Sequence, residues 1–294
     1  MSTRVRERSS PSLFLLQYSR WDWIPVTLGL LHFALLIALF LAFPYLSWPT
    51  FVLLGLLYSI SISWSINSIS HNFIHNPYFR SGALNAAFSL VLSLTNGFSQ
   101  KMYDFVHMRH HSGNMDRPDH AGNTVDYLSI YKHGRDGRPE GVWRYTFLSF
   151  FRDDPAEILR AMRRPADVLQ SKIELGCLVL FCAGLAALDW RFFICIVPFN
   201  YLGQSLSSLN GYYEHFGGNP DSPIAWGVST YGKLYNWTWM NNGYHAEHHY
   251  RPKAHWTKMR DLHREIAERQ KQGGTRVIRP PHALGFLDPD LPKR

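Results

Sequence analysis

The sequence predicts an all-α integral membrane protein whose four transmembrane helices form two hairpins. Three observations support this fold class: four apolar runs, aromatic residues at the ends of the first run, and basic residues confined to segments that would share one side of a bilayer. The mean hydropathy of −0.18 hides the runs, because the apolar residues are concentrated in a few blocks.

The first hairpin comprises the apolar runs at 24–46 and 51–69. At 1.5 Å per residue, the run at 24–46 is long enough to cross a hydrocarbon core of about 30 Å. The turn between the two runs contains no Lys or Arg, as expected for a turn outside the cytoplasm. Interfacial aromatic residues flank the first run: Trp21, Trp23, Tyr45 and Trp48.

The second hairpin comprises the runs at 173–188 and 192–209, which are joined by only three residues. Its helices are short or tilted. The apolar run at 84–98 is too short to cross and contains polar residues, so we predict an interfacial or re-entrant helix there. The charged segment at 255–272 predicts a surface helix. Prolines from residue 280 onward predict a loosely packed tail.

The distribution of charge predicts the orientation. The net charge of +8 comes mostly from the two terminal segments and the central stretch at 101–172, which four spans place on one side. The positive-inside rule makes that side the cytoplasm. No nucleic-acid-binding motif accompanies the charge, so we assign it to the membrane surface and expect no nucleic-acid partner. The predicted organisation is a cytoplasmic segment at 1–23, a membrane domain at 24–279 and a Pro-rich tail at 280–294.

Nine of the fifteen histidines occur in four clusters. On a helix, positions i, i+3 and i+4 share one face, so each triplet directs three imidazoles to one place. All four clusters fall on the predicted cytoplasmic side. They are His71 and His75; His107, His110 and His111; His215; and His245, His248 and His249.

Metal binding explains this clustering. Packed without metal, many buried imidazole nitrogens would lack partners, at a cost of about 1–3 kcal/mol each, whereas neutral imidazole is a metal ligand. Nine ligands exceed the capacity of one ion, so two ions are predicted, and imidazole alone leaves Zn, Cu, Fe and Ni open. The other histidines lack such spacing and are interpreted as ordinary core or surface residues: His32, His120, His133, His255, His263 and His282.

Three motifs in order carry a family resemblance. The sequence contains the boxes His-x3-4-His, His-x2-3-His-His and (His/Gln)-x2-3-His-His, and over residues 24–260 it resembles the membrane fatty acid desaturase and hydroxylase superfamily. The segment 241–249 resembles the third box of sphingolipid desaturases. The segment 210–217, with its Tyr-x-Glu-His pattern, resembles both those enzymes and bacterial alkane hydroxylases. The His71-x3-His75 spacing departs from that of animal acyl-CoA desaturases, which argues against acyl-CoA as the substrate.

The resemblance implies a helical fold with a cytoplasmic cap, in which the nine histidines hold two iron ions. It also implies O2-dependent oxidation of a lipid or fatty acyl chain. Desaturation is the expected outcome; the alternatives are a fatty acid or alkane hydroxylase and a terminal-alkene-forming fatty acid oxidase.

The electrons for this chemistry are expected from a separate ferredoxin or cytochrome with its reductase, because the sequence has no haem, flavin or iron–sulfur motif. The basic residues Arg160, Arg163 and Arg164 offer such an acidic carrier a docking surface. Contact with membrane headgroups explains these charges equally well.

Several residues next to the histidines are candidates for orienting the imidazole rings. Asn241 is interpreted either in this role or as a helix-capping residue. Each candidate carboxylate has the alternative, and simpler, interpretation of a solvated surface group. These carboxylates are Glu214, Glu247, Asp104 and Asp119.

Two other functional classes fit less well. A metal transporter would bind metal near the bilayer midplane on polar residues within the spans, but the predicted spans hold hardly any ionisable residue besides His32 and Glu174. A non-catalytic lipid-binding or scaffold protein would leave the histidines unexplained.

Overall fold

The computed structural model describes residues 15–113 and 124–291. Across these residues the chain is helical, and its only β-type pairings are two isolated bridges, Leu16 with Phe79 and Ser229 with Val277. The all-α fold class is therefore confirmed. The described α-helices are α1 (Trp23–Ala42), α2 (Trp48–Trp64), α3 (His71–His75), α4 (Gly82–Asn96), α5 (Gln100–Ser112), α6 (Val142–Leu148), α7 (Pro155–Ala161), α8 (Pro165–Leu188), α9 (Trp190–His215), α10 (Lys233–Thr238), α11 (His245–Tyr250) and α12 (Met259–Gln272).

Four helical stretches are long and apolar enough to cross a membrane, as predicted. They expose many large apolar side chains; Leu41, Val179, Leu180 and Leu188 are each more than 60% exposed. Apolar surface on this scale is unusual for a protein surrounded by water and suits contact with hydrocarbon. The four stretches are Arg20–Tyr45, Trp48–His75, Pro165–Leu188 and Trp190–His215.

The second of these stretches changes its winding before it reaches the first histidines. A π-helical segment, Ser65–Ser70, connects α2 to α3 without a break. π-Helical segments are rare and frequently lie at functional sites. Here all six residues of the segment are buried. His71 and His75 follow it directly and lie at the end of the helical stretch.

Helix α9 lies at the centre of the bundle and packs against α2, α6 and α8. Its approach to α2 requires a glycine, because a Cβ atom at Gly203 would lie 2.7 Å from the backbone oxygen of Ser59. Small residues allow membrane helices to pack this closely. The close packing fixes the end of α9, which carries His215.

A buried carboxylate fixes the start of α5, the helix that carries three histidines. Glu174 on α8 is fully buried and accepts hydrogen bonds from the hydroxyls of Ser89 and Ser99, at 2.6 Å each. It also accepts from the backbone N–H of Lys101 and the side chain of Gln170. Because four donors satisfy the carboxylate, it stabilises the junction of α4, α5 and α8.

The loosely packed tail expected from residue 280 onward is wrong for 280–291. His282 is completely buried and its Nε2 donates to the backbone oxygen of Val228 at 2.9 Å. The segment His282–Leu287 forms a 3-10 helix that packs against α9, with Gly285 directly on the ring of Tyr213. Proline content predicted the lack of a long helix, but not the packing of the short turns against α9.

Candidate metal centre

The structure brings all nine clustered histidines together from four helical segments. They come from α3, from α5, from the end of α9 and from α11. They form two groups, and within each group the candidate ligand atoms all lie within 4.8 Å of one another. The first group has five members: His71, His75, His107, His111 and His248. The second group has four: His110, His215, His245 and His249.

In the first group, the Nε2 atoms form a continuous series. The Nε2 atom of His107 lies 2.8 Å from that of His75 and 3.0 Å from that of His111. The Nε2 atom of His248 lies 2.8 Å from that of His71 and 3.0 Å from that of His111. Three of these nitrogens therefore have two close nitrogen neighbours each.

In the second group, three nitrogens converge in the same way. The Nε2 atom of His215 lies 3.0 Å from both the His110 and the His245 Nε2 atoms. The fourth ring, His249, is buried and lies edge-to-face with the rings of His110 and His215, and neither of its ring nitrogens has a hydrogen-bond partner among the described residues. A buried imidazole with two unpaired nitrogens is costly unless another partner satisfies it.

These contacts fit metal ligation better than hydrogen bonding. A ring nitrogen offers one position in the ring plane, either an N–H or a lone pair, so it cannot make two good hydrogen bonds to other ring nitrogens. Metal–imidazole bonds are about 2.0–2.1 Å long, so two ligands at right angles on one ion are separated by about 3.0 Å. The observed separations of 2.8–3.0 Å match that spacing. The residues present therefore fit two metal ions, one for each group.

Burial keeps the imidazoles in the form that binds metal. Desolvation lowers the pKa of His107, His111 and His248 well below the usual value for histidine. The same cause lowers the pKa of His245 and His249. Neutral imidazole is the ligand form, so these side chains need no deprotonation at neutral pH before they bind an ion.

Partners outside the two groups fix the ring orientations. In the second group, Nδ1 of His110 lies 2.9 and 3.0 Å from the two carboxylate oxygens of Asp126. In the first group, Nδ1 of His71 lies 3.3 Å from Oδ1 of Asn242. Both contacts place the proton on Nδ1 and leave the Nε2 lone pair free to bind metal.

Sequence reasoning missed both of these partners. Asn242 is adjacent to Asn241, the residue proposed for this role, whose amide instead donates to the backbone oxygen of Trp256. Asn241 also has a positive φ of 61°, a conformation that asparagine tolerates better than most residues. Asp126 lies in an irregular segment sixteen residues after His110, and nothing in its local sequence marks it.

Two of the four candidate carboxylates are buried, so the surface interpretation is wrong for them. Oε1 of Glu214 accepts hydrogen bonds from the amides of Asn210 and Asn242 and lies 3.8 Å from Nδ1 of His245. Glu247 is fully buried, and accepts from Ser229, Tyr231 and His263. Its partners are therefore residues outside both histidine groups.

The remaining two carboxylates have different outcomes. Asp104 is partly exposed and pairs with Lys101 at 2.7 Å, which agrees with a surface role. Asp119 lies outside the described residues.

The other described histidines lie outside the two groups. His32 contacts Ser61, His255 contacts Asp22 and His263 contacts Glu247. His282 is buried on the backbone of Val228, and His133 is exposed. His120 is outside the described part of the chain.

A cavity of about 360 Å³ reaches both histidine groups. His71 and His107 of the first group line it, as do His110, His215 and His245 of the second. Much of the wall is apolar and comes from α5, α7 and α8. This volume is within the range of about 300–1,000 Å³ that is typical of ligand pockets.

The comparison with known families agrees with this site. The fatty acid desaturase family model matches residues 46–281, a stretch that contains all nine histidines. The chain belongs to the fatty acid desaturase family. No curated protein and no solved structure matches it.

Proposed function

We propose that the chain is a membrane-bound di-iron oxidase that uses O2 to insert a C=C bond into the acyl chain of a lipid. One observation carries the proposal: two groups of histidines, of five and four residues, both reach a single cavity that is apolar enough for a hydrocarbon chain. Membership of the fatty acid desaturase family supports a lipid substrate.

The overall reaction consumes O2, two electrons and two protons, removes two hydrogens from adjacent carbons and releases two waters. When bound, the iron pair supplies O2 activation and the abstraction of hydrogen from an unactivated methylene. The protein holds the ligating Nε2 atoms in place through Asp126 and Asn242. The apolar side chains of Met102, Val106 and Leu178 line the cavity, so they hold the chain beside the histidines and exclude water.

A fatty acid or alkane hydroxylase, or a terminal-alkene-forming fatty acid oxidase, is the second candidate. The Tyr-x-Glu-His segment that ends at His215 supports the hydroxylase, because this segment resembles bacterial alkane hydroxylases as well as sphingolipid desaturases. All of these reactions begin with cleavage of the same kind of C–H bond. They differ in the next step: a second hydrogen leaves, a hydroxyl is returned to the carbon, or the carboxyl group of a fatty acid leaves as CO2 and gives the terminal alkene.

The proposed topology places both termini and the histidine groups on the cytoplasmic side, with the spans in two hairpins and the remaining helices forming a cap. The basic terminal and central segments support this orientation. The proposed electron source is a separate ferredoxin or cytochrome with its reductase. Arg160, Arg163 and Arg164 support docking of an acidic carrier, since Arg160 is 76% and Arg164 is 82% exposed.

The position of the histidines supports an oxidase over a metal transporter. The histidines carried by the spans lie at helix ends. His71 and His75 follow the π-helical segment, and His215 is the last residue of α9. Metal sites in transporters lie near the bilayer midplane. Within the spans, His32 contacts Ser61 and Glu174 is satisfied by four donors.

Expression in a lipid-rich host, followed by mass spectrometry of the total lipids, tests the proposed function. A lipid that is two mass units lighter and has a mapped new double bond is expected with the wild-type chain and not with His248→Ala. A lipid that gains one oxygen would identify the hydroxylase instead. Identical lipids from both chains, each present in the membrane, would refute an oxidase.

A further inference from the structure

We propose that helix α10 is a membrane anchor, and that its Leu234 and Trp237 side chains insert into the leaflet nearest the histidines. The partner of this surface is the lipid bilayer around the protein, so the inference does not depend on which reaction the histidine site performs. It starts from a short helix whose large apolar side chains point outward while its polar side chains are buried.

The outer face of α10 carries two large apolar side chains. Leu234 is 74% and Trp237 is 77% exposed. The two residues are three positions apart and therefore lie on the same face of the helix. Lys233, which precedes them, is also exposed. Tryptophan is enriched where a membrane meets water, and a lysine beside it can extend its ammonium group to the headgroups. This combination is typical of a helix that lies in a membrane surface.

The inner face of α10 is polar, and its hydrogen bonds fix the orientation of the helix. Tyr235 and Asn236 are buried. The hydroxyl of Tyr235 accepts from the amide of Asn242 at 3.0 Å, and the amide of Asn236 donates to the backbone oxygen of Thr230 at 2.8 Å. A rotation of α10 that buried Trp237 would break these bonds and leave buried polar groups without partners. The fold therefore holds the apolar face outward.

A contact with the second membrane span fixes the depth of α10. The indole Nε1 of Trp64 donates to the backbone oxygen of Thr238, the last residue of α10, at 2.8 Å. Trp64 is the last of the seventeen residues of α2, which begins at the exposed Trp48. At 1.5 Å per residue, the two tryptophans are about 24 Å apart along the helix axis. Since the hydrocarbon core is about 30 Å thick, the end of α10 lies at its edge and not out in the water.

The charges around α10 suit a lipid surface better than a protein partner. Between Asp221 and Glu247 the sequence contains no Asp or Glu, and its only Lys or Arg is Lys233. A carboxylate in this stretch would be repelled by the anionic lipids of a leaflet, whereas a lysine is attracted to them. A protein partner recognised by its charge would find a single cation here and no anion. The exposed apolar face next to a membrane span therefore fits the bilayer.

Spin-label depth measurements on the full chain in nanodiscs of phosphatidylcholine and phosphatidylglycerol test the anchor. A label is attached at Trp237→Cys, and for comparison at Val179→Cys, an exposed residue of the α8 span, and at Gln272→Cys, an exposed residue at the end of α12. Collisions with O2, which dissolves in hydrocarbon, are compared with collisions with a water-soluble nickel chelate. The O2-to-nickel ratio at position 237 is expected to be several-fold higher than at position 272 and closer to that at position 179. The native cysteines are first replaced by alanine: Cys177, Cys182 and Cys195.

Two outcomes of this measurement would overturn the anchor. A label at position 237 that is as accessible to the nickel chelate as the label at position 272 would place the face in water. A label that is shielded from both reagents would show that a second copy of the chain or another protein covers the face. The label at position 179 shows that the chain without its native cysteines inserts into the bilayer.

A second measurement keeps the native side chain in place. The fluorescence that the wild type has and Trp237→Phe lacks belongs to Trp237, and this exposed aromatic exchange should leave the fold intact. Lipids with brominated acyl chains are expected to quench most of that emission, and acrylamide in the water to quench little of it. Quenching by acrylamide but not by the brominated lipids would contradict insertion of Trp237.

Discussion

The two histidine groups differ in both number and surroundings. The first group has five histidines, and the observed partner of its His71 is a neutral amide, that of Asn242. The second has four histidines, and two of them lie near carboxylates. Nδ1 of His110 lies 2.9 Å from a carboxylate oxygen of Asp126, and Nδ1 of His245 lies 3.8 Å from one of Glu214.

This difference indicates that the two proposed metal positions are not equivalent. A carboxylate that accepts the Nδ1 proton makes the imidazole a stronger electron donor than an amide does. In the second group this applies to His110, whose Nδ1 donates to Asp126; Nδ1 of His245 has no hydrogen-bond partner among the described residues. Both groups reach the cavity, the first through His71 and His107 and the second through His110, His215 and His245.

Removal of one ligand from each group gives the largest expected effect. His248→Ala in the first group and His110→Ala in the second should each abolish lipid oxidation, because the chemistry requires both ions. Each variant should keep the metal of the intact group, so that the metal content falls from about two ions to about one. Exposed His133 offers the matched control, and His133→Ala should retain both metals and activity. Full activity in either ligand variant would refute the assignment of that residue.

Removal of the orienting partners should lower metal affinity by different amounts in the two groups. Asp126→Ala is expected to lower metal affinity at the second group by about 10- to 100-fold. Asn242→Ala should have a smaller effect at the first group, because hydrogen bonds to charged groups are about twice as strong as neutral ones. Competition with a chelator, followed by metal analysis, measures both affinities. An equal loss in the two variants would contradict the proposed difference between the groups.

Narrowing the cavity near the second group should impair substrate binding. Gly211 lines the cavity on α9, and an added methyl would meet only Glu214 Oε2, at 3.9 Å. Gly211→Ala should therefore fold normally but lower kcat/KM several-fold. Gly176→Ala on α8 is the matched control, because Gly176 faces open space outside the cavity. Equal kcat/KM values for both variants and the wild type would show that substrate does not pass Gly211.

Mild acid should have the smallest effect, through a residue behind the second group. His282 lies 3.8 Å from Glu214, and burial lowers its pKa to about 4. Between pH 6.5 and 4 the unfolded chain therefore binds a proton that the folded chain does not, so stability falls as the pH is lowered through this window. At pH 5, His282 lowers the free energy of unfolding by about 2 kcal/mol relative to neutral pH. His282→Gln keeps a donor for Val228, and its stability should fall less between pH 7 and pH 5 than that of the wild type. An identical pH dependence would contradict the buried neutral state.

Much of the fold and site could be predicted because both depend on local patterns. The membrane helices follow from long apolar runs, and the i, i+3, i+4 spacing of the triplets follows from helix geometry. Each triplet, however, divides between the two groups. From α5, His107 and His111 belong to the first group and His110 to the second. From α11, His248 belongs to the first group, and His245 and His249 belong to the second. That division depends on how the helices cross, which residue spacing along one helix does not specify.

Partners that come from distant or irregular segments could not be predicted. Asp126 reaches His110 from an irregular segment, and its position depends on the path of the chain between them. Glu214 and Glu247 are candidates for orienting the rings, and their alternative interpretation as surface groups, which rests on the rarity of buried carboxylates, is wrong. Their burial becomes understandable only with their donors in view, such as Asn210 for Glu214 and Tyr231 for Glu247. The packing of the segment at His282 could not be predicted either, because its hydrogen-bond partner, the backbone oxygen of Val228, is distant in the sequence.

Metal analysis of the purified wild-type protein, with iron and zinc counted per chain, tests the central claim most directly. We expect about two iron ions per chain, one for the five-histidine group and one for the four-histidine group. A single ion per chain, zinc alone, or no metal in folded protein would contradict a di-iron centre on these nine histidines.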